Sequence, residues 1–263
     1  MKVHQDSFLF ITLDSCRWDT FRDANIPNIK GIGPHRKTFT QATYTYPAHQ
    51  SFFMGFLPTD KSGQRYWDSR RSRIFHLVSP TSTKESEAYV KLKGRNIIDG
   101  FNRKGYRTLG LGAMGWFNKE LPAGKVLTDD FQRFVFTGPF DIKRQIDIAL
   151  NDAVKNANKP LFTFINVGET HHPYWHKGAP WDQTNYCMPF GTINNRAECQ
   201  KRQKGCLEYV DRQIKHLLQI FGNASIIVCA DHGDVHGEDG LWGHSVVHPT
   251  VMTVPMVMKL RKK

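Results

Sequence analysis

The stretch Phe8-Leu9-Phe10-Ile11-Thr12-Leu13-Asp14 sets an apolar run directly against a carboxylate, and Ile226-Ile227-Val228-Cys229-Ala230-Asp231 repeats the arrangement near the other end of the chain. Apolar runs of this kind mark strands buried on both faces of a parallel sheet. A carboxylate at the carboxyl end of such a strand lies where open α/β sheets place their ligands. A third run, Leu161 to Val167, leads into Gly168-Glu169-Thr170-His171-His172-Pro173-Tyr174. Between the first two lies Thr45-Tyr46-Pro47-Ala48-His49, a hydroxyl residue just ahead of a helix start. Two carboxylates, the histidine that follows Asp231 (His232) and a hydroxyl, gathered at one sheet edge, make a divalent-metal site with a metal-activated nucleophile.

Working outward, strand-like and helix-like segments alternate along the chain, which predicts a three-layer α/β/α sandwich around a mostly parallel sheet. Pro47 to Phe53 reads as a helix opening, with Gly55 and Pro58 to end it. Residues 61–86 are polar and aromatic-rich and read as a long loop or subdomain excursion. Helices are expected over 96–104, 141–156 and 206–221, and a strand over 107–112. Residues 175–204 read as an irregular insert within a single domain spanning 1–263.

Asp14-Ser15-Cys16-Arg17-Trp18-Asp19 resembles the first metal motif of the alkaline phosphatase and sulfatase superfamily. Ile26-Pro27-Asn28-Ile29 and Thr38-Phe39-Thr40-Gln41-Ala42 resemble the segments that follow it there. Thr45 to His49 stands at the family's nucleophile segment, Asp231-His232-Gly233 with Gly237-Glu238-Asp239-Gly240 at its second metal motif, and Val254-Pro255-Met256-Val257 at its closing strand. The resemblance implies an alkaline-phosphatase-like sandwich with Asp14, Thr45, Asp231 and His232 as metal ligands. It also implies one departure. Sulfatases carry Cys or Ser-x-Pro-x-Arg and oxidise the Cys or Ser to formylglycine, whereas this chain has Thr45 and His49. A threonine cannot be oxidised by that route, and Thr-x-Pro-x-His is more like the superfamily's phosphodiesterases and phosphoethanolamine transferases.

The reading that follows is a metal-dependent phosphoester hydrolase or phosphotransferase, with Thr45 as nucleophile and a phospho-threonine intermediate. A sulfatase-like sulfuric ester hydrolase and a non-catalytic protein binding a phosphorylated ligand are the alternatives. His172 and His244 are the candidate proton donors or phosphoryl contacts, while His49, His171, Glu169 and Arg17 are candidate substrate-binding groups. Arg17 also reads as a supporting pair with Asp19. Glu169 is a further candidate for a second, weaker metal, and Thr45 has a competing structural role as an N-cap. His236 and His248 rank lower. The mixed oxygen and imidazole donors suit Zn²⁺ or Mn²⁺, with Mg²⁺ or Ca²⁺ behind them.

A formal charge of +12 and a pI near 9.5 point to an anionic, phosphorylated substrate. No recognition-helix, zinc-finger or RNA-binding pattern accompanies the charge, which argues against nucleic acid. No apolar stretch is long enough to span a membrane and the N-terminus has no signal-peptide pattern, so a cytoplasmic location is expected. A homo-oligomer stays open. Five cysteines, an odd number, include Cys16 and Cys229 in or beside core strands. A bridge among Cys187, Cys199 and Cys206 is conceivable, and reduced thiols are the default in the cytosol.

Overall fold

The computed structural model describes residues 2–55, 75–78, 89–92, 94–188 and 195–261. Chain order runs β1 (Phe8–Leu13), α1 (Trp18–Asp23), α2 (Pro27–Lys30), β2 (His35–Phe39), α3 (Thr45–Met54), β3 (Phe75–Val78), β4 (Tyr89–Leu92), α4 (Ile97–Arg103), β5 (Arg107–Gly112), α5 (Pro122–Thr128), β6 (Arg133–Phe136), α6 (Ile142–Lys155), β7 (Leu161–Val167), α7 (Arg196–Ile220), β8 (Ser225–Ala230), β9 (Val235–His236), β10 (Trp242–Gly243), α8 (Pro249–Met252) and β11 (Thr253–Lys259). The loop expected over 61–86 falls outside the described residues apart from β3.

Seven strands form the central sheet in the order β2-β11-β8-β1-β7-β5-β6. The strands from β8 to β6 are mutually parallel, β11 runs antiparallel beside β8, and β2 pairs antiparallel with β11 at the edge. β1 and β7 lie at the centre, and their alternate side chains serve opposite layers. Leu9, Ile11, Leu13, Leu161 and Ile165 pack with Ile146, Val210, Ile214 and Leu217 on one face. Phe8, Phe10, Phe162 and Phe164 meet Phe53, Phe101, Phe117 and Phe131 on the other. The second face is aromatic: Phe101 stacks on Phe162 at 4.3 Å, and Phe53 meets Phe164 edge-on at 5.1 Å. Each such ring, fully buried, contributes roughly 1.5–3 kcal/mol of transfer free energy. The three-layer expectation holds, and its parallel strands bring the ends of β1, β7 and β8 to one edge.

Two boundaries differ from the sequence reading. Helix α7 begins at Arg196, inside the expected insert. Asn195 caps it by accepting from the Glu198 amide at 3.0 Å, and Arg202 pairs with Glu198 one turn away at 2.7 Å. The polar run Lys201 to Lys204 hid a buried stripe of Cys199, Gln203, Cys206 and Val210. Helix α3 begins at Thr45 rather than Pro47, with Tyr44 extended as its N-cap. Pro47 is tolerated there because the first-turn amides lack intrahelical acceptors. The N-cap role considered for Thr45 is therefore corrected: its hydroxyl is turned elsewhere.

Candidate active site and metal centre

Asp14 leaves β1 and Asp231 leaves β8, adjacent strands in parallel register, so both carboxylates emerge at the same sheet edge. The turn after Asp14 needs a left-handed residue, and Ser15 adopts it at φ 59°. This places the Ser15 amide 3.1 Å from Asp231 Oδ1, which also accepts from the His232 amide at 2.9 Å. Gly233 follows because nothing larger fits: a Cβ there would meet the Thr250 carbonyl at 2.4 Å. The Thr45 hydroxyl donates to Asp14 Oδ2 at 3.2 Å and lies 3.4 Å from His232 Nε2. All four side chains are buried.

The donor chemistry fits a divalent cation. Asp14, Asp231 and His232 each offer a ligand atom within 4.8 Å of the others. His232 donates its Nδ1–H to the Gly233 carbonyl, leaving the Nε2 lone pair toward the carboxylates. Asp231 Oδ2 is buried with no hydrogen-bond partner. Burial, and then the charge of Asp14, push Asp231 well above the ordinary carboxylate range. Burial also acts upward on Asp14, but His171, His232 and the Asn166 amide outweigh it and hold that carboxyl low. Two carboxylates this close cannot both ionise without a compensating charge. A divalent cation held between them would supply it.

Histidines rim the centre. His244 Nδ1–H donates to Asp234 Oδ1 at 2.7 Å, and its ring lies 4.5 Å from that of His232 and 5.2 Å from that of His171. His171 Nδ1–H donates to the His172 carbonyl at 2.8 Å. The ligand atoms of His171, His172 and His244 also approach within 4.8 Å of one another, as do those of His232, Asp234 and His244. Burial, then His171, lower His172 to about 4, so it is neutral at pH 7. Burial opposes the charge on His244 too, but Asp234 outweighs it and raises the imidazole. Of the two candidate acids, His244 is the one whose protonated form its surroundings favour.

Asp234 was missed by the sequence reading, which offered Glu169 alone as a further acid for a second metal. Both its oxygens are engaged, Oδ2 by the Tyr174 hydroxyl at 2.7 Å. Its signal was a carboxylate three residues beyond Asp231 on the same turn. Asn166 was missed as well: its amide donates to Asp14 Oδ2 at 3.1 Å. A polar residue inside an otherwise apolar strand was the clue.

Three proposed substrate contacts are placed elsewhere. His49 is fully buried: its Nδ1–H donates to the Thr45 carbonyl at 2.7 Å and its Nε2 accepts from Thr12 at 2.9 Å, among Phe52, Phe53, Phe117 and Phe164. It braces the first turn of α3 rather than meeting a ligand. Glu169 points to the start of α6, where Oε1 accepts from the Ile142 amide at 2.7 Å. Arg17 is held by Asp19, by Glu238 at 2.9 Å and by the Asp234 carbonyl at 3.0 Å, so the supporting-pair reading describes it better. Cys16 is buried in the core, His236 bonds Tyr174, and His248 caps α8.

A family model described as Sulfatase matches residues 7–262, nearly the whole sequence. The chain belongs to the sulfatase family. Its fold is shared with proteins of the alkaline phosphatase superfamily. A Vibrio parahaemolyticus protein of that superfamily aligns over 100% of this chain and 62% of its own length, at TM-score 0.57 and 14% identity. The chain thus spans under two thirds of that relative. The periplasmic domain of Campylobacter jejuni phosphoethanolamine transferase EptC aligns over 98% of this chain and 80% of its own, at TM-score 0.66 and 12% identity. The corresponding domain of Escherichia coli EptC, solved in complex with Zn, gives 0.60 at 13% identity, over 98% and 73%. No curated protein sequence matches significantly. Among the described residues no helix is long and apolar enough to cross a membrane.

Proposed function

We propose that this sulfatase-family chain is a metal-dependent phosphoester hydrolase or phosphotransferase with Thr45 as its nucleophile. One observation carries the reading: the Thr45 hydroxyl, at the first position of α3, is held against Asp14 and beside the inward Nε2 of His232. A divalent cation held by Asp14, Thr45, Asp231 and His232 would supply the charge that makes a threonine hydroxyl acidic enough to react. Zn²⁺ or Mn²⁺ suits the mixed donor set best, and the zinc in the E. coli EptC structure supports trying zinc first. A second, weaker cation among the imidazoles of His171, His172 and His244 would need His244 unprotonated, so that site and the acid role of His244 are alternatives.

The residues divide the work. Thr45 Oγ, its proton released to water, attacks phosphorus, the ester P–O bond breaks, and the phosphoryl group remains on Thr45. His244, protonated and oriented by Asp234, gives a proton to the departing alkoxide. Water or an acceptor alcohol then takes the phosphoryl group from Thr45. The dipole of α3 favours negative charge at the same point. A threonine cannot furnish the aldehyde hydrate that sulfatases use, which is why phosphate is preferred to sulfate here. The net charge of +12 favours an anionic ester as partner.

The test is a panel of aryl phosphate monoester, aryl phosphate diester and aryl sulfate, each offered to the zinc- and manganese-loaded chain. The expected result is phosphate turnover well ahead of sulfate, with a phosphoryl adduct on Thr45 in quenched intact-mass spectra. Preference for the sulfate would turn the reading to a sulfatase without formylglycine, and no turnover with tight phosphate binding would turn it to a binding protein.

A further inference from the structure

Behind the site, the segment after Tyr174 folds back onto α7 through a sulfur-rich cluster of Tyr174, Cys187, Met188, Cys199 and Cys206. All five cysteines of the chain are thiols in this structure. They are not equivalent. Cys187 Sγ and Cys199 Sγ are in contact at 3.0 Å, and Cys199 Sγ is also 3.0 Å from the Cys187 carbonyl. Both side chains are at most 2% exposed. The backbone fixes the approach independently of the thiols: the Asn195 amide donates to the Cys187 carbonyl at 3.0 Å, and Asn195 then caps α7 in front of Cys199. Arg202 adds a further clamp, donating to the Asn185 carbonyl. Cys16 lies just after β1 and Cys229 within β8, and neither has a thiol contact of this kind among the described residues.

We propose that Cys187 and Cys199 are a disulfide-forming pair that joins the segment after Tyr174 covalently to the first turn of α7. The chemistry is ordinary thiol–disulfide exchange. The Cys187 thiolate attacks a sulfur of oxidised glutathione and expels one glutathione thiolate. Cys199, giving up its proton, attacks the Cys187 sulfur of the mixed disulfide and releases the second glutathione. Two protein thiols lose two electrons and one glutathione disulfide gains them. Assigning the first attack to Cys187 has a physical basis. Its hydrogen bond with Cys199 and the nearby Arg202 favour the Cys187 thiolate, while the same contact and burial raise Cys199.

The bond has a place in the site's architecture. Met188, next to Cys187, brings its Sδ within 3.4 Å of the Tyr174 hydroxyl, and that hydroxyl donates its proton to Asp234 Oδ2. Two side chains, Met188 and Tyr174, therefore lie between the sulfur pair and the carboxylate that orients His244. A persisting bridge would also belong in an oxidising compartment, against the cytoplasmic expectation drawn from the N-terminal sequence. This inference is independent of the catalytic reading, since thiol counting makes no use of activity.

The full chain is incubated with excess oxidised glutathione until the thiol count is constant, then denatured, alkylated and mapped by mass spectrometry without reduction. The expected result is three alkylated cysteines, Cys16, Cys206 and Cys229, and one cross-linked peptide joining Cys187 to Cys199. Reduction should restore five alkylation sites and lower Tm by about 5 °C. Cys199→Ser should show four alkylated or glutathionylated cysteines, no intramolecular bridge and no reductant-dependent Tm. Five free thiols after incubation, or a bridge that uses Cys206, would overturn the pairing.

Discussion

Thr45 and Asp231 show how single atoms decide what this fold can do. Thr45 has no capping duty, so Thr45→Ala removes a hydroxyl whose only partners among the described residues are Asp14 and His232. Turnover of the preferred phosphate ester should fall at least ~100-fold, while stability changes by about 1 kcal/mol or less. Steady-state kinetics beside thermal unfolding checks this, and a variant that keeps full activity would remove Thr45 from the mechanism. Asp231→Asn makes a sharper case because two effects run in opposite directions. The amide oxygen can still accept from the Ser15 and His232 amides, while the partnerless Oδ2 becomes a neutral nitrogen. The metal-free variant should therefore melt above the metal-free wild type near neutral pH, since the folded wild type must hold on Asp231 a proton that the unfolded chain releases, and the amide carries no such cost. Its cation content after dialysis should nonetheless drop to background. Calorimetry with elemental analysis reads both, and a variant that is destabilised yet keeps its metal would refute the assignment.

At the scale of elements, Glu169 joins the end of β7 to the start of α6. Burial raises its carboxyl to about 7, although the Ile142 amide opposes the rise. The folded chain thus holds a proton that the unfolded chain releases near 4.5, so stability declines as pH climbs between those values and the whole loss is felt above 7. Glu169→Gln keeps an acceptor for the Ile142 amide and has no charge to bury. It should match the wild type at about pH 5 and exceed it at about pH 8 by on the order of 2 kcal/mol, as read from melting curves. An equal pH dependence in the two proteins would contradict it. Elements of this kind were legible in the sequence to different degrees. β1, β7 and β8 were readable because an apolar run closed by an acid has one good explanation in an α/β chain. Helix α7 was half hidden, because Arg202 and Gln203 are buried polar groups that break the expected period. Asp14, Thr45, Asp231 and His232 could be singled out as candidates because each stands at or beside the end of an element. His49, Glu169 and Arg17 were misplaced because sequence gives a residue's neighbours along the chain but not the face it turns. Asp234 and Asn166 each left a mark in the sequence, but their roles rest on partners distant along the chain, Tyr174 and His244 for one and Asp14 for the other.

For the whole molecule, the four ligand candidates come from the ends of β1 and β8 and the start of α3, segments far apart in sequence. A cation bound only by the folded arrangement must therefore stabilise the whole domain by mass action. At one hundred times its dissociation constant that amounts to about 2.7 kcal/mol, or roughly 5–10 °C in Tm for a domain of this size. The size of the shift carries a pH signature. Binding requires Asp231 to lose a proton that burial and Asp14 make it hold, so the cation-induced rise should shrink as pH falls and grow as it rises toward neutrality. Zinc and manganese should both give the rise, a chelator should reverse it, and Asp14→Asn should abolish it. The basic Lys and Arg side chains do not compete, since their charge repels the ion, so the rise should also survive moderate salt. Differential scanning fluorimetry across pH, with and without each ion, reads every one of these outcomes. A shift that is absent, or that is equally large in Asp14→Asn, would mean that the carboxylates at this sheet edge do not form a metal centre.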